Sequence, residues 1–353
     1  MNESVSKRKI KGRGSNLNPG NRFDKIDIVL DEDEINNGRA NKTVFYRDSS
    51  KSIITYNDSP DIGMNASINP YRGCEHGCIY CYARPTHEFL GLSAGLDFET
   101  KIFVKENAPA LLRKELSSRS WKPQPIMLSG NTDCYQPAER HFKITRSCLE
   151  VMAEFRNPVG IVTKNRLIIR DIDVLQDMIS FNCASVAISV TTLDSTLANI
   201  MEPRTSQPNV RIDTIRKLSE AGIPVMVLIA PVIPGLTDHE IPGIIKQVVD
   251  AGAIKVGYVM LRLPYGVKDL FQDWLERHFP NKVNKVIHRI QSVREGGLNS
   301  ANFGERMRGK GIFAKQVEDM FKVACRKHGI YSNKIELTTE YFRRSVKNQL
   351  NLF

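Results

Sequence analysis

Three cysteines within eight positions, Cys74, Cys78 and Cys81 of the stretch CEHGCIYC, are the residues of this chain best equipped for chemistry. One short loop must carry all three thiols. Thiols gathered this way suit a metal centre, because a coordinating sulfur is deprotonated and held by the cation. A structural zinc site would complete its tetrahedron with a fourth Cys or His. His76 and His87 are nearby, but their spacings match no common zinc pattern. A four-iron cluster on three thiolates would instead leave one iron open to an outside ligand. The other cysteines, Cys134, Cys148, Cys183 and Cys325, are isolated and suggest no second cluster.

Composition narrows the setting. The 353 residues are 41% hydrophobic and 25% charged, the balance of an ordinary globular protein with a large core. Seven cysteines in a chain of this length, three of them clustered, do not form a disulfide framework, so a reducing cytoplasm is expected. The first twenty residues are polar and basic with no apolar run, which argues against a secretory signal. The most apolar window, Ile223–Leu236, is broken by Pro224, Pro231 and Pro234 and is too short to span a bilayer. The net charge of +11 favours an acidic partner such as DNA or RNA. Residues 1–22, with Lys7, Arg8, Lys9, Lys11 and Arg13 among Ser, Asn and Gly, are expected to be disordered. A monomer is expected, with no membrane association.

The elements that must position the cysteines follow from the apolar rhythm. A short strand at Ala66–Asn69 delivers the chain to the cysteine loop. Strands are expected at Pro125–Ser129, Val159–Thr163, Ser185–Val190, Val225–Ala230 and Lys255–Leu261. Helices between them at helical spacing of apolar residues imply parallel strands joined by right-handed crossovers. Six such units make a partial (β/α)6 barrel, short of the usual eight. The apolar strands are expected to be covered on both faces. Thr43–Tyr46, Ser52–Tyr56 and Lys101–Val104 read as extra strands, and Thr145 as a helix cap. Beyond Gly266, helices at Val267–His278, Lys282–Val293 and Ile312–His328 form a closing layer. The expected organisation is an N-terminal extension at 1–61, a core at 62–265 and a helical region at 266–353.

The cysteine triplet, the aromatic Tyr80 before its last member and the strand that feeds it resemble the radical SAM superfamily. Gly130-Asn131-Thr132-Asp133 falls where that superfamily carries a glycine-rich motif after its second strand, and Ile229–Gly235 where the fifth strand supports the adenine. Ser67–His87, Glu202–Thr205 and Gly304–Gly311 (GERMRGKG) are similar to the branch around the spore photoproduct lyases, often termed DNA repair photolyase-like. The resemblance implies an α/β radical SAM partial barrel, a [4Fe-4S] cluster on Cys74, Cys78 and Cys81, and S-adenosylmethionine (SAM) at the open iron. It further implies reductive cleavage to a 5′-deoxyadenosyl radical, with reduced ferredoxin or flavodoxin as electron donor. By the same resemblance Thr132 would meet the SAM amino group and Lys164 the carboxylate. Ser189 and Thr191 would meet the ribose, although the family pattern has Asn where Thr191 stands. Tyr82 and Ala83 would pack on the adenine, and Arg204 would reach a carboxylate or substrate phosphate. Photoproduct lyases place a hydrogen-donating cysteine at the front of the glycine-rich motif, where this chain has Gly130; Cys134, several positions on, is the candidate redox thiol here.

Three readings compete. The first is hydrogen abstraction from an unknown substrate, with nucleic acid favoured by charge and kinship. The second is radical SAM modification of a protein or small molecule. The third is a non-enzymatic metal protein that binds nucleic acid.

Overall fold

The computed structural model describes residues 10, 12–23, 42–330 and 335–344. The main sheet has the order β10-β9-β8-β7-β6-β3-β2, with β2 (Thr55–Tyr56), β3 (Ala66–Ile68), β6 (Ile126–Leu128), β7 (Val159–Thr163), β8 (Ala184–Ser189), β9 (Val225–Val232) and β10 (Lys255–Met260). Six strands from β3 to β10 run parallel in chain order, and β2 pairs antiparallel with β3 at the far edge. This is the expected α/β partial barrel. A small sheet of β1 (Val44–Arg47), β5 (Lys101–Val104) and β4 (Tyr71–Arg72) stands beside it. Of the closing helices, Val267–His278 matches its expected bounds. Among the described residues no helix is long and apolar enough to cross a membrane.

The strands are not covered equally on both faces. Along β8 and β9, Val186, Ile188, Val225, Val227 and Ile229 are buried, whereas Ser185, Ala187, Met226 and Leu228 between them are only half-buried. Side chains alternate across a strand, so the second set shares one face. The register agrees, pairing Gly160 with Ser185, Ala187 with Met226, and Leu228 with Gly257. Helices cover one face, while small or flexible residues line the concave one and leave room there. Each strand's apolar composition concealed this, because Ala, Met and Leu occupy the less covered face. Thr145 is likewise not a cap: it lies inside the helix Ile144–Phe155, and its hydroxyl donates to the Cys134 carbonyl at 2.6 Å.

The N-terminal tail divides. Residues 1–9 and 11, and the acidic run 31–34, lie outside the described residues, but 12–18 pack on the core. The peptide N–H groups of Gly14 and Ser15 donate to the Glu99 carboxylate at 3.0 and 2.9 Å, and the Arg13 guanidinium donates to the Glu99 carbonyl at 2.8 Å. Leu96 N–H donates to Leu17 O at 3.1 Å. Glu99 is fully buried and also pairs with fully buried Arg84 at 2.5 Å. A buried carboxylate needs several donors, and this tail supplies two of them. Such a requirement leaves no trace in hydrophobic periodicity.

Two expectations follow. A Cβ on Gly14 would stand 1.7 Å from the Gly77 carbonyl oxygen, so Gly14→Val must push segment 12–18 off the core. Urea denaturation should show a loss of about 1–3 kcal/mol, with faster proteolysis near residue 14; an unchanged midpoint and digestion pattern would refute the docking. His87 is wholly buried between Phe98 and Phe103, with Nε2 2.9 Å from the Lys101 carbonyl. Burial lowers its pKa from 6.5 to about 4. The folded state therefore keeps His87 neutral while the unfolded chain takes up a proton below pH 6.5. This contribution to stability is present above 6.5 and is lost as pH falls toward 4, by up to about 3 kcal/mol. His87→Phe should flatten that part of the pH–stability profile; an unchanged slope would contradict the assignment.

Candidate metal centre and active site

Most candidate residues lie beyond the carboxyl end of a parallel strand, where barrel proteins gather reactive groups; Arg204 instead follows the helix Ser195–Met201. From β3 the chain passes through β4 into Cys74–Cys81; β6 leads to Gly130–Asp133, β7 to Lys164, and β8 ends at Ser189 ahead of Thr191. Backbone bonds shape the cysteine loop: Cys74 N–H to Phe98 O at 2.8 Å, Cys81 N–H to Cys78 O at 3.2 Å and Ile79 N–H to Met201 O at 3.1 Å. Arg84 braces it from within, with Nε on the Cys78 carbonyl at 3.0 Å and a terminal nitrogen on the Gly77 carbonyl at 3.2 Å.

The donor set fits a cluster. Burial pushes the Cys74 thiol well up, and Asp133, Cys78 and Cys81 push it further in the same direction. Cys78 is raised by burial and by Glu202, and Cys81 by burial. Three thiols in one another's field resist ionisation until a cation supplies the missing charge. Among the described residues no three Cys, His, Asp or Glu side chains converge on a single ion position. A cluster does not require convergence, since each thiolate takes its own iron. The two histidines considered as a fourth zinc ligand are engaged elsewhere. His76 lies 3.4 Å from Asp133 and 3.1 Å from Asn165, and His87 meets the Lys101 carbonyl.

Lys164 is the leading cation acting on Cys78, and acts on Cys81 after Arg84. It opposes the burial-driven rise of both Cys78 and Cys81, and its Nζ lies 3.4 Å from the Ala230 carbonyl and 5.9 Å from the centre of the Tyr80 ring. Its peptide N–H donates to Asp133 Oδ2 at 2.8 Å, while Thr163 donates to Oδ1 at 2.8 Å. Burial would raise the Asp133 carboxyl, but His76 and these donors hold it below the usual range. Asp133 thus ties the β6 turn to the β7 end.

A second buried carboxylate organises the opposite side. Glu202 accepts hydrogen bonds from Tyr80, from Arg211 and from Thr191 at 2.7 Å. Burial opposes its ionisation, but Arg211 and then Lys164 bring its pKa down to about 2. Sequence reading had passed over Glu202 and Arg211 in favour of Arg204, two positions along the EPRT stretch. Arg204 forms an ion pair with Glu75 at 3.0 Å. The charged pattern of the motif was legible, but which member enters the interior depends on the turn after the helix Ser195–Met201.

The remaining candidates fall into two groups. Tyr82 is about half exposed and donates to the Gly130 carbonyl at 2.9 Å, joining the cysteine loop to the glycine-rich turn. Ala83 is buried against Cys74 and Phe98, and Ser189 shares the concave-face parity of Ser185 and Ala187 at the end of β8. In contrast, the Thr132 hydroxyl donates to the Tyr71 carbonyl at 2.9 Å, and Thr191 is committed to Glu202 and, at 3.1 Å, to the Ala230 carbonyl. Cys134 does not stand at the mouth. It is fully buried in the main core, its peptide N–H on Ser129 Oγ at 2.5 Å and its thiol raised by burial and by Asp133. Ser129, whose hydroxyl takes the Cys134 N–H, has φ 81°.

Comparison with known proteins agrees with this geometry. The model of the Radical SAM superfamily matches residues 68–248, more than half of the chain. An uncharacterized protein of Mycobacterium tuberculosis is 36% identical over 221 residues, which is 62% of this chain and 65% of that protein. One from Methanocaldococcus jannaschii is 32% identical over 179 residues, 50% of this chain and 64% of that one. The chain therefore spans less than two thirds of these relatives' own length. Spore photoproduct lyase complexed with dinucleoside spore photoproduct superposes with a TM-score of 0.58 at 15% identity, over 83% of this chain and 82% of that one. A variant of the lyase with bound AdoMet and the same dinucleoside gives 0.58 at 16%, over 84% and 82%. At such identity the likeness concerns the fold alone. With the family model, it establishes that the chain belongs to the radical SAM superfamily.

Proposed function

We propose that the protein is a radical SAM enzyme acting on nucleic acid, with a [4Fe-4S] cluster on Cys74, Cys78 and Cys81. The carrying observation is the buried cysteine loop at the carboxyl edge of a partial barrel, with a lysine, Lys164, in the field of two of its three thiols. When bound, the cluster and SAM supply a 5′-deoxyadenosyl radical that takes a hydrogen atom from the substrate. Everything else is the work of this chain, which binds, orients and excludes water.

Lys164 is assigned to the SAM carboxylate, since it acts on two of the three thiols and makes no direct ion pair among the described residues. Ser189 and Thr191 are assigned to the ribose, Tyr82 and Ala83 to the adenine, and the Thr132 turn to the amino group. For Thr191 and Thr132 the hydroxyl already serves a protein acceptor, so their contribution is to fix the rim on which SAM lies. Arg204, paired with Glu75, holds the cysteine loop against the EPRT turn. Cys134 is left to core packing. Support for nucleic acid comes from the +11 charge and from the dinucleoside held by the structurally similar lyase. Reduced ferredoxin or flavodoxin in a reducing cytoplasm is the proposed electron source, and a monomer the proposed working form.

Anaerobic reconstitution should load about four irons and four sulfides per chain. Single Cys74→Ala, Cys78→Ala and Cys81→Ala variants should lose most of that iron, whereas Cys148→Ala should retain it. The reduced protein should give an EPR signal that changes with SAM, and should form 5′-deoxyadenosine on addition of dithionite. Fully loaded protein that shows neither response would exclude the enzyme. One zinc and no sulfide would favour the non-enzymatic binding protein. Deuterium passing from labelled oligonucleotide into 5′-deoxyadenosine would identify the substrate class, and its passage only from a peptide or small molecule would replace nucleic acid.

A further inference from the structure

The GERMRGKG stretch has no part in the SAM site, yet it borders the mouth. Its short helix Glu305–Arg308 lies against β10, the free edge of the main sheet. Arg308 donates to the Tyr258 carbonyl at 2.9 Å and stacks 4.1 Å over that ring, and Arg294 is buried with its terminal nitrogens on the carbonyls of Leu261 at 2.6 Å and Glu305 at 3.1 Å. Arg262, two residues past β10, sits 5.5 Å over the ring of Tyr82, the neighbour of Cys81. Arg262 and Arg294 therefore meet where the last strand approaches the cysteine loop, whereas Arg308 stacks on the opposite, helix-covered face of β10.

No direct ion pair balances their charge, although Asp61 lies in the field of Arg262. The nearby carboxylates are taken: Asp61 pairs with Arg306 at 2.5 Å, and Glu295 and Glu305 with Lys310 at 2.6 and 3.5 Å. Among the described residues, none of Arg262, Arg294 and Arg308 has a carboxylate within ion-pair distance. The one hydrogen-bond partner of Arg262 is the Met307 sulfur at 3.9 Å, and its buried Nε has none. Burial and then Arg306 lower the Arg262 pKa, while burial and Arg262 bring Arg294 to about 10. A half-buried guanidinium kept among like charges costs free energy until an anion joins it, and its planar fork matches a phosphate.

We propose that Arg262, supported by Arg294, forms a phosphate-binding site that seats the substrate beside Tyr82. A phosphate held there would bring its attached nucleoside to the cysteine loop, with Tyr265, largely exposed three residues on, as a flanking ring for a base. Only the source of the phosphate, a polynucleotide backbone, rests on the nucleic-acid reading; the site itself does not.

The test uses the full-length reconstituted protein, fluorescent single-stranded DNA and RNA, inorganic phosphate and SAM, with Arg262→Ala, Arg262→Lys and the exposed Arg326→Ala as control. Folding is checked by circular dichroism and iron content. Arg262→Ala should weaken oligonucleotide and phosphate binding about 10-fold or more and reduce the slope of log K against log salt by about 0.7. Arg262→Lys should restore the slope better than the affinity, Arg326→Ala should leave both unchanged, and SAM affinity should hold throughout. Folded Arg262→Ala with unaltered oligonucleotide and phosphate binding overturns the site even if wild-type binding stays salt-dependent, which preserves the nucleic-acid reading. Loss of SAM affinity alone also overturns it. Wild type that binds phosphate through Arg262 but no oligonucleotide upholds the site, assigns it to a phosphorylated small molecule and removes the nucleic-acid reading.

Discussion

The ion pair between Arg84 and Glu99, wholly inside the protein, is the interaction on which the cysteine loop depends. Arg84 uses its fork on the Cys78 and Gly77 carbonyls as well as on Ala94 and Gly95, so one side chain holds both flanks of the loop. Glu99 neutralises it and recruits the N–H groups of Gly14 and Ser15. A buried pair of this kind adds little stability over an apolar alternative, because both ions lose water. Removing either partner is a different matter, since the other charge would be stranded. The pair therefore specifies geometry more than it stabilises the fold: the loop has one shape in which all of these donors and acceptors are satisfied. Such a loop suits the proposed cluster site, whose three sulfurs would each take a separate iron.

Glu202 applies the same logic on the other side of the mouth. It gathers Tyr80 from the cysteine loop, Thr191 from the end of β8 and Arg211 from the helix Pro208–Glu220. Asp133 does so between the β6 turn and the β7 end. Glu99, Glu202 and Asp133, each engaged by several donors, thus tie the cysteine loop and the ends of β6, β7 and β8 into a rim. The rim is rigid because each carboxylate would be costly to leave unpaired, not because the strands alone fix it.

Much of the scaffold was legible in the sequence, and for a physical reason. Parallel strands such as Val159–Thr163 are short apolar runs bounded by turn residues, and helices such as Val267–His278 repeat their apolar residues at helical spacing. The cysteine loop was legible because its chemistry needs those atoms at that spacing. What escaped is long-range electrostatics. Nothing in the local pattern says that Arg84 meets Glu99, that Gly14 rests on Gly77, or that Glu202 rather than Arg204 turns inward. The helix Ser195–Met201 was missed although Asp194 caps it, accepting from Thr196 and Leu197 N–H at 2.7 and 3.1 Å; its seven residues are too few to establish a period. The placing of Cys134 escaped in another way: it follows the glycine-rich turn in sequence, yet its side chain is fully buried in the main core.

The charge distribution links the scaffold to the substrate. Basic groups with structural duties, such as Arg84 and Arg211, lie against carboxylates and contribute little net field outside the protein. The excess that gives the chain its +11 must reside in those without such partners. Arg262 and Arg294 are two of these, and they stand together beside the cysteine loop. A low-dielectric wall beneath them concentrates their field toward the mouth. An anionic substrate would accordingly be drawn first to the β10 edge and only then to the cysteine loop. Binding energy gathered at the arginines would then be available to orient the substrate at the cysteine loop, because contacts remote from a reacting bond can offset the entropy of orienting it.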